Sequence, residues 1–245
     1  MGHVTLRICR RVAASRLVTS ESHYRVAVIG GTGPQGKGLG YRFAKGGHDV
    51  VLGSRAAEKA EAAAVEVVAR LDGVDGAGVV SGAENAEAVA ACDVVLLAVP
   101  YDGHDDLVAS LPLAGKTVIS CVNPLAFDKR GAHGRVIDGG EGSAAESAQR
   151  LAPESTVVGA FHNVSAVGLW GEEDLLDDDV IVVGDVVEAK EVAMALAASV
   201  TGRSGIDGGK LRLARVLEPF TAVLISINRK YKVHSGIRVT GLHGH

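Results

Sequence analysis

The sequence predicts an α/β fold, a parallel sheet flanked by helices with a smaller C-terminal domain after it. Three observations predict it. From Tyr24 onward, short β-branched runs alternate with alanine-rich stretches of helical length, the pattern of right-handed strand–helix–strand units that build a parallel sheet. The first run passes directly into a glycine-rich turn, Gly30 to Gly36, and a helical stretch follows. Hydrophobic residues make up 47% of the chain but aromatics only 4%, so the core rests on Val, Leu, Ile and Ala, as buried parallel strands do.

The elements follow in order. Tyr24 to Ile29 reads as the first strand, and Gln35 to Lys45 as a helix stopped by Gly46-Gly47,. Asp49 to Leu52 is the second strand, and Ala57 to Leu71 a helix ending at Asp72-Gly73. Gly78 to Ser81 is a short strand, Ala83 to Ala91 a helix, and Asp93 to Val99 an apolar strand. Asp105 to Leu111 is helical and Thr117 to Cys121 extended. The pattern breaks at Gly139 to Gly142. Ser143 to Leu151 then reads as a helix, with Ser143 as N-cap and Glu146 three residues on, a capping box,. Thr156 to Phe161 is one more strand. Beyond a boundary near 165 lie a strand (Asp179 to Val183), a helix (Val186 to Val200) and a helical region (Lys210 to Lys232) interrupted by Pro219. Three segments result: an extension over 1–22 expected to lack fixed structure, a nucleotide-binding domain over 23–164, and a small C-terminal domain over 165–245.

Composition narrows the function. The net charge of -4 and the few aromatics argue against nucleic acid as a partner. No apolar run reaches bilayer length, so no membrane association is expected. The three cysteines, Cys9, Cys92 and Cys121, form no CxxC pair. A disulfide framework or metal site is therefore not expected, and a reducing cytoplasm fits. Two charged runs stand out. The acidic run Glu172 to Asp179 reads as a solvated face,. The basic end, Arg229, Lys230, Lys232 and Arg238, reads as a solvated helix end, a subunit contact or a surface that steers an anionic ligand.

The glycine turn carries the functional argument. Gly31, Gly33 and Gly36 satisfy G-x-G-x-x-G, and Gly30, Gly33 and Gly36 satisfy a GxxGxxG variant. Glycine permits the tight turn, close approach of backbone to a pyrophosphate, and close helix–strand packing. The free N–H groups of the helix start then hold the anion. This context marks a Rossmann-type dinucleotide site over Gly30, Thr32, Gly33, Pro34, Gln35 and Gly36. The end of the second strand selects the dinucleotide. NAD sites place Asp or Glu there, whereas this chain has Gly53-Ser54-Arg55, with Lys59 one turn on. A guanidinium pairs bidentately with a 2′-phosphate that a carboxylate would repel. NADP(H) is therefore expected, with Val99 and Pro100 against its nicotinamide half.

These stretches resemble one family. IGGTGPQGKGLGYRFAKGGHDVVLGSRAAEKA, then ACDVVLLAVP, GSAAES and RVLEPF look like the NADP oxidoreductases that use the deazaflavin coenzyme F420, from Tyr24 to about Leu242. The resemblance implies reversible hydride transfer between nicotinamide carbon 4 and deazaflavin carbon 5. It implies two domains, with the two cofactor substrates as small-molecule partners; separately, the apolar stretch between Lys210 and Lys232 reads as a dimer contact or a buried core helix, and a homodimer is expected,. The resemblance places Thr32, Ser54, Arg55 and Lys59 on the 2′-phosphate, and His162, Asn163 and Asn123 beside the deazaflavin. No catalytic acid or base is expected, because the transfer needs positioning above all. Two rival readings remain. An NADPH-dependent reductase of an imine or small carbonyl compound would need a proton donor, with Tyr101, His104 and His162 as candidates. A non-catalytic NADP(H)-sensing protein would need none.

Overall fold

The computed structural model describes residues 22–135, 137 and 142–242. The expectations for 1–21 and for 138–141 lie outside the described residues. Ten strands and eight helices alternate along the rest: β1 (Arg25–Ile29), α1 (Pro34–Lys45), β2 (Asp49–Ser54), α2 (Ala57–Arg70), β3 (Val80–Glu84), α3 (Asn85–Ala90), β4 (Val94–Leu97), α4 (His104–Ser110), β5 (Thr117–Ser120), β6 (Leu125–Asp128), β7 (Gly131–Gly134), α5 (Ala144–Leu151), β8 (Thr156–Gly159), α6 (Ala166–Leu169), β9 (Ile181–Gly184), α7 (Val187–Thr201), β10 (Ile206–Gly209) and α8 (Ala214–Tyr231).

Eight strands form one sheet in the order β10-β9-β8-β5-β4-β1-β2-β3. From β8 to β3 the neighbours are parallel, the strand order of a doubly wound dinucleotide-binding sheet. The side chains of β1 alternate between two cores, as a strand's two-residue period requires. Val26 and Val28 pack in a cluster with Leu39 and Phe43 of α1 and Leu196 of α7. Ala27 and Ile29 join Val89 of α3 and Ala148 of α5 on the other face.

The C-terminal region departs from the parallel expectation. Only the one-turn helix α6 lies between β8 and β9, too little for a parallel crossover. The chain turns back, and β9 runs antiparallel to β8. Helix α7 then provides a crossover to β10, parallel to β9. The two strands beyond residue 165 therefore continue the same sheet.

Four local differences have physical causes. β8 stops at Gly159 because Phe161 takes φ 63, a left-handed conformation that no strand accommodates,. The hairpin β6–β7, absent from the sequence reading, closes on Asp128, whose carboxylate accepts from the amides of Arg130 (2.7 Å) and Gly131 (3.1 Å),. Pro219 does not interrupt α8, which runs unbroken from Ala214 to Tyr231. The proline removes one helix bond in the second turn and packs against Gly134 of β7, where a Cβ would lie 2.8 Å from Pro219 Cβ,. The acidic run is not merely a solvated face. Asp179 is bonded by Arg203 (3.3 Å) and Arg238 (3.4 Å), and Lys45 pairs with Asp174 at 2.8 Å.

Two buried polar anchors hold the layers. Arg42 of α1 is fully buried and donates to the carbonyls of Gly168, Leu169, Glu173 and Asp174 at 2.6–2.9 Å. Glu218 of α8, 1% exposed, accepts from the amides of Ala144 (2.8 Å) and Ala145 (3.0 Å) in the first turn of α5. Burial pushes its carboxyl up to about 8, against the two amides, which favour the charged form,. Beside it, Arg215 pairs with Glu146 through two bonds of 2.7 and 2.6 Å. The GSAAES and RVLEPF stretches thus meet in space. Ser143 caps α5 as expected, accepting from the Glu146 amide at 3.1 Å, and its hydroxyl donates to the Glu146 carboxylate at 2.7 Å.

Candidate functional site

The glycine turn lies between the end of β1 and the start of α1, at the carboxyl edge of the parallel strands. Gly30 has φ 85, and a Cβ on it would lie 2.4 Å from Ala98 O. A Cβ on Gly36 would lie 2.4 Å from Gly30 O. Neither position admits a side chain without moving backbone. Gly33 differs: a Cβ there would meet nothing nearer than 3.4 Å, and the residue lines the open cleft. Gly33 is also the N-cap of α1 and has no side chain to bond the first turn. The helix start therefore keeps its amides for an anion.

Two chambers open from this turn. The first, about 460 Å³, is lined by Gly30, Thr32 and Gly33, by Ser54 and Arg55 at the end of β2, by Lys59 in the first turn of α2, by Asn85, and by Val99 and Pro100. Arg55 and Lys59 make no ion pair among the described residues, so both cations are available to an anionic ligand. The second, about 480 Å³, is lined by Pro34, Gln35, Asn123, His162, Asn163 and Thr221, among others. The chambers share Gly33, Ala98, Val99 and Pro100. Every residue expected at the site lines one of them except Gly36, whose place is the packing contact with Gly30.

Several of these side chains brace the second chamber rather than project into it. Gln35 donates to the carbonyls of Phe161 and Val164, both at 3.4 Å. Asn123 donates to His162 O at 2.8 Å and pairs with His162 Nδ1 at 3.1 Å. Asn163 donates to Leu217 O (3.2 Å) and to the Thr221 hydroxyl (3.0 Å). Thr221 in turn donates to His162 O at 2.8 Å. The amide oxygen of Asn123 only accepts, so Nδ1 of His162 carries the proton and Nε2 keeps a lone pair. Nε2 has no partner among the described residues and faces Gly159, where a Cβ would lie 2.9 Å away. Burial holds the His162 ring neutral, with its pKa lowered to about 4,.

The sequence reading missed Thr221 and Asn85. Thr221 is one hydroxyl on an apolar helix, and nothing local marks it. Asn85 could have been found as a polar residue at the third strand–helix junction, on the same sheet edge. Of the three rival proton donors, His162 lines the second chamber, while Tyr101 and His104 line neither. His104 is buried and bonded to Asp105 at 2.7 Å, and Tyr101 stacks on its ring at 5.9 Å.

The sheet order, the glycine cradle and the cationic end of β2 fit a dinucleotide carrying a 2′-phosphate and define an NADP-dependent oxidoreductase of the Rossmann class. Comparison with known proteins makes this specific. Residues 25–124 match the family model described as "NADP oxidoreductase coenzyme F420-dependent". The F420-dependent NADP reductase of Methanothermobacter thermautotrophicus is 41% identical over 225 residues, 89% of this chain and 95% of that protein. The enzyme of the same description from Methanocaldococcus jannaschii is 38% identical, over 89% of this chain and 99% of its own. The crystal structure of a proposed F420-dependent NADP-reductase from Arthrobacter sp. FB24 superposes with a TM-score of 0.71 at 25% identity, covering 89% of this chain and 100% of that one. The chain belongs to the F420-dependent NADP reductase family.

Proposed function

We propose that this protein transfers a hydride reversibly between NADP(H), held in the first chamber, and the deazaflavin coenzyme F420, held in the second. The shared wall of Gly33, Ala98, Val99 and Pro100 carries this reading, because it lets two ring systems meet at one boundary. The bound cofactors supply the donor and acceptor carbons themselves. The chain's own work is binding, orientation and exclusion of water. The amides at the start of α1 take the pyrophosphate. Thr32, Ser54, Arg55 and Lys59 take the 2′-phosphate. Val99 and Pro100 offer an apolar surface to the nicotinamide. His162, neutral and braced by Asn123 and Thr221, shapes the deazaflavin side and moves no proton.

On this reading the segment 23–164 is the NADP-binding part, while 165–245 supplies Thr221, Leu224 and Asn228 to the second chamber. The basic residues Arg229, Lys230 and Lys232 follow Asn228 directly, and we place the anionic tail of the deazaflavin coenzyme near them. A homodimer is supported by Val216, Phe220 and Val223, which expose 64, 38 and 48% of their surface along one face of α8,. A cytoplasmic location fits Cys92 and Cys121, both free and buried. No helix among the described residues is long and apolar enough to cross a membrane.

The direct test mixes the protein with NADPH and oxidised coenzyme F420 and follows the deazaflavin absorbance. Bleaching coupled to NADPH oxidation is expected. No bleaching, with turnover of an imine or carbonyl compound instead, would establish the rival reductase. Tight NADPH binding with no acceptor at all would establish the sensor.

A further inference from the structure

Asn85 has no task in the fold that accounts for it. It opens α3 immediately after β3, is 8% exposed, and lines the first chamber with Ser54, Arg55 and Lys59. Its Oδ1 has no hydrogen-bond partner among the described residues. Buried polar atoms in folded proteins are nearly always bonded, so an unbonded carboxamide in a ligand cleft asks for a ligand.

Its position says which part of the ligand. Oδ1 lies 3.0 Å from the point where a Cβ on Gly53 would stand. Gly53 pairs with Ile29 of β1 and Ala83 of β3, at the carboxyl end of β2. That is where a dinucleotide fold reads the adenosine ribose, ordinarily with an Asp or Glu. Here the carboxylate is missing, and the space that a side chain on residue 53 would fill is shared by Ile29 Cδ1, at 2.8 Å, and by the Asn85 amide, reaching across from the next strand–helix junction. A ribose bearing a 2′-phosphate still has a free 3′-hydroxyl. A carboxylate would bind that hydroxyl but repel the phosphate beside it. A carboxamide binds it without charge. Its two ends exchange by a half-turn about the last bond, and a hydroxyl both donates and accepts, so either end pairs with it.

We propose that Asn85 is a specificity-determining residue of the adenosine end: its carboxamide bonds the ribose 3′-hydroxyl and so replaces the acid of NAD sites with a neutral group compatible with the 2′-phosphate. Gly53 is part of the same device, since a side chain there would meet both Ile29 and the amide. The inference rests on the NADP reading of the first chamber and extends it.

The test is calorimetric titration of the full chain with adenosine 2′,5′-bisphosphate and with its 3′-deoxy form, for wild type, Asn85→Ala and Asn85→Asp. Wild type should bind the parent compound roughly 10-fold more tightly than the 3′-deoxy form. Asn85→Ala should lose that difference. Asn85→Asp keeps the shape and places an acid in the first turn of a helix, where it is tolerated. It should bind the bisphosphate roughly 100-fold more weakly and shift the preference from NADPH toward NADH. Neither variant should change the Michaelis constant for coenzyme F420. If both variants bind the bisphosphate as wild type does, or if wild type does not distinguish the 3′-deoxy form, the role of Asn85 is overturned and the NADP site stands. If wild type binds neither compound, the NADP reading of the chamber itself fails.

Discussion

Removal of Arg55 gives the sharpest measure of cofactor choice. In most proteins, loss of an arginine also breaks an ion pair, and the two effects mix. Here Arg55 is exposed on the first chamber, and among the described residues it makes no ion pair. Arg55→Ala should leave the free protein unchanged, so any loss belongs to the complex. A charge-assisted contact to a phosphate is worth about 1.5–3 kcal/mol. Arg55 is open to solvent, Lys59 stands one turn away to compensate in part, and salt screens over about 8 Å at physiological strength. The lower end applies, about 1.5–2 kcal/mol, or a roughly 10–30-fold rise in the Michaelis constant for NADPH. NADH lacks the phosphate and should change less than about 2-fold on the same scale. Arg55→Glu should widen the gap, because repulsion is added to the lost contact. Initial rates with each nucleotide at fixed coenzyme F420, at two salt concentrations, measure it. Equal losses for NADPH and NADH, or a loss that higher salt does not shrink, would refute the assignment of the 2′-phosphate to this corner.

Two further outcomes follow from buried groups. Arg42→Ala strands four carbonyls, two in α6 and two on the loop after it, a loss of about 3–5 kcal/mol by comparison with other broken buried charge networks; for a chain this size that is a melting midpoint lower by roughly 6–20 °C, and a drop under 2 °C in calorimetry would contradict the anchor. His162 has its pKa lowered to about 4 by burial, so the stability it contributes is present above the unfolded value near 6.5 and lost as pH falls toward 4, up to about 3 kcal/mol in all. Lowering the pH from 7 to 5 should depress the midpoint of wild type more than that of His162→Asn, and the same variant should raise the Michaelis constant for coenzyme F420 more than that for NADPH; parallel pH curves or equal rises would reject the role given to this ring.

The half of the site that depends on local chemistry was legible in the sequence. A glycine turn must follow its strand directly, and the residues that end the next parallel strand come to the same sheet edge, so Gly30, Gly33, Ser54 and Arg55 meet on the first chamber. What depends on tertiary placement was not legible. The resemblance implies deazaflavin contact for Asn123 and Asn163, and the glycine turn implies cofactor contact for Gln35; all three line the second chamber, and what neither signal reveals is their bracing. The folded chain engages their amides with the carbonyls of Phe161, His162, Val164 and Leu217. The direction of β9 escaped as well, because it is set by the absence of a long helix between 160 and 180 rather than by any residue of the strand. The antiparallel hairpin escaped because Leu125 to Asp128 is only four residues long and half exposed, with no alternation strong enough to mark a strand.

The bracing has a consequence for the chemistry. Hydride transfer demands that two carbons be held about 3–3.5 Å apart, and a misplacement of about 1 Å can cost a hundredfold. The two chambers are formed by different parts of the chain, so something must fix their spacing. Helix α1 does so from both of its ends. Its N-terminus closes the first chamber. Its Gln35 bonds both carbonyls that flank His162 and Asn163, and its Phe43 packs edge-on against Phe161 at 5.6 Å. Phe161 is the residue held at φ 63, a conformation a bulky side chain keeps only when its surroundings impose it. The strain sits at the one point where the chain must leave the sheet abruptly and bring His162 under the shared wall. A hydride transfer that relies on placement would concentrate its structural cost there.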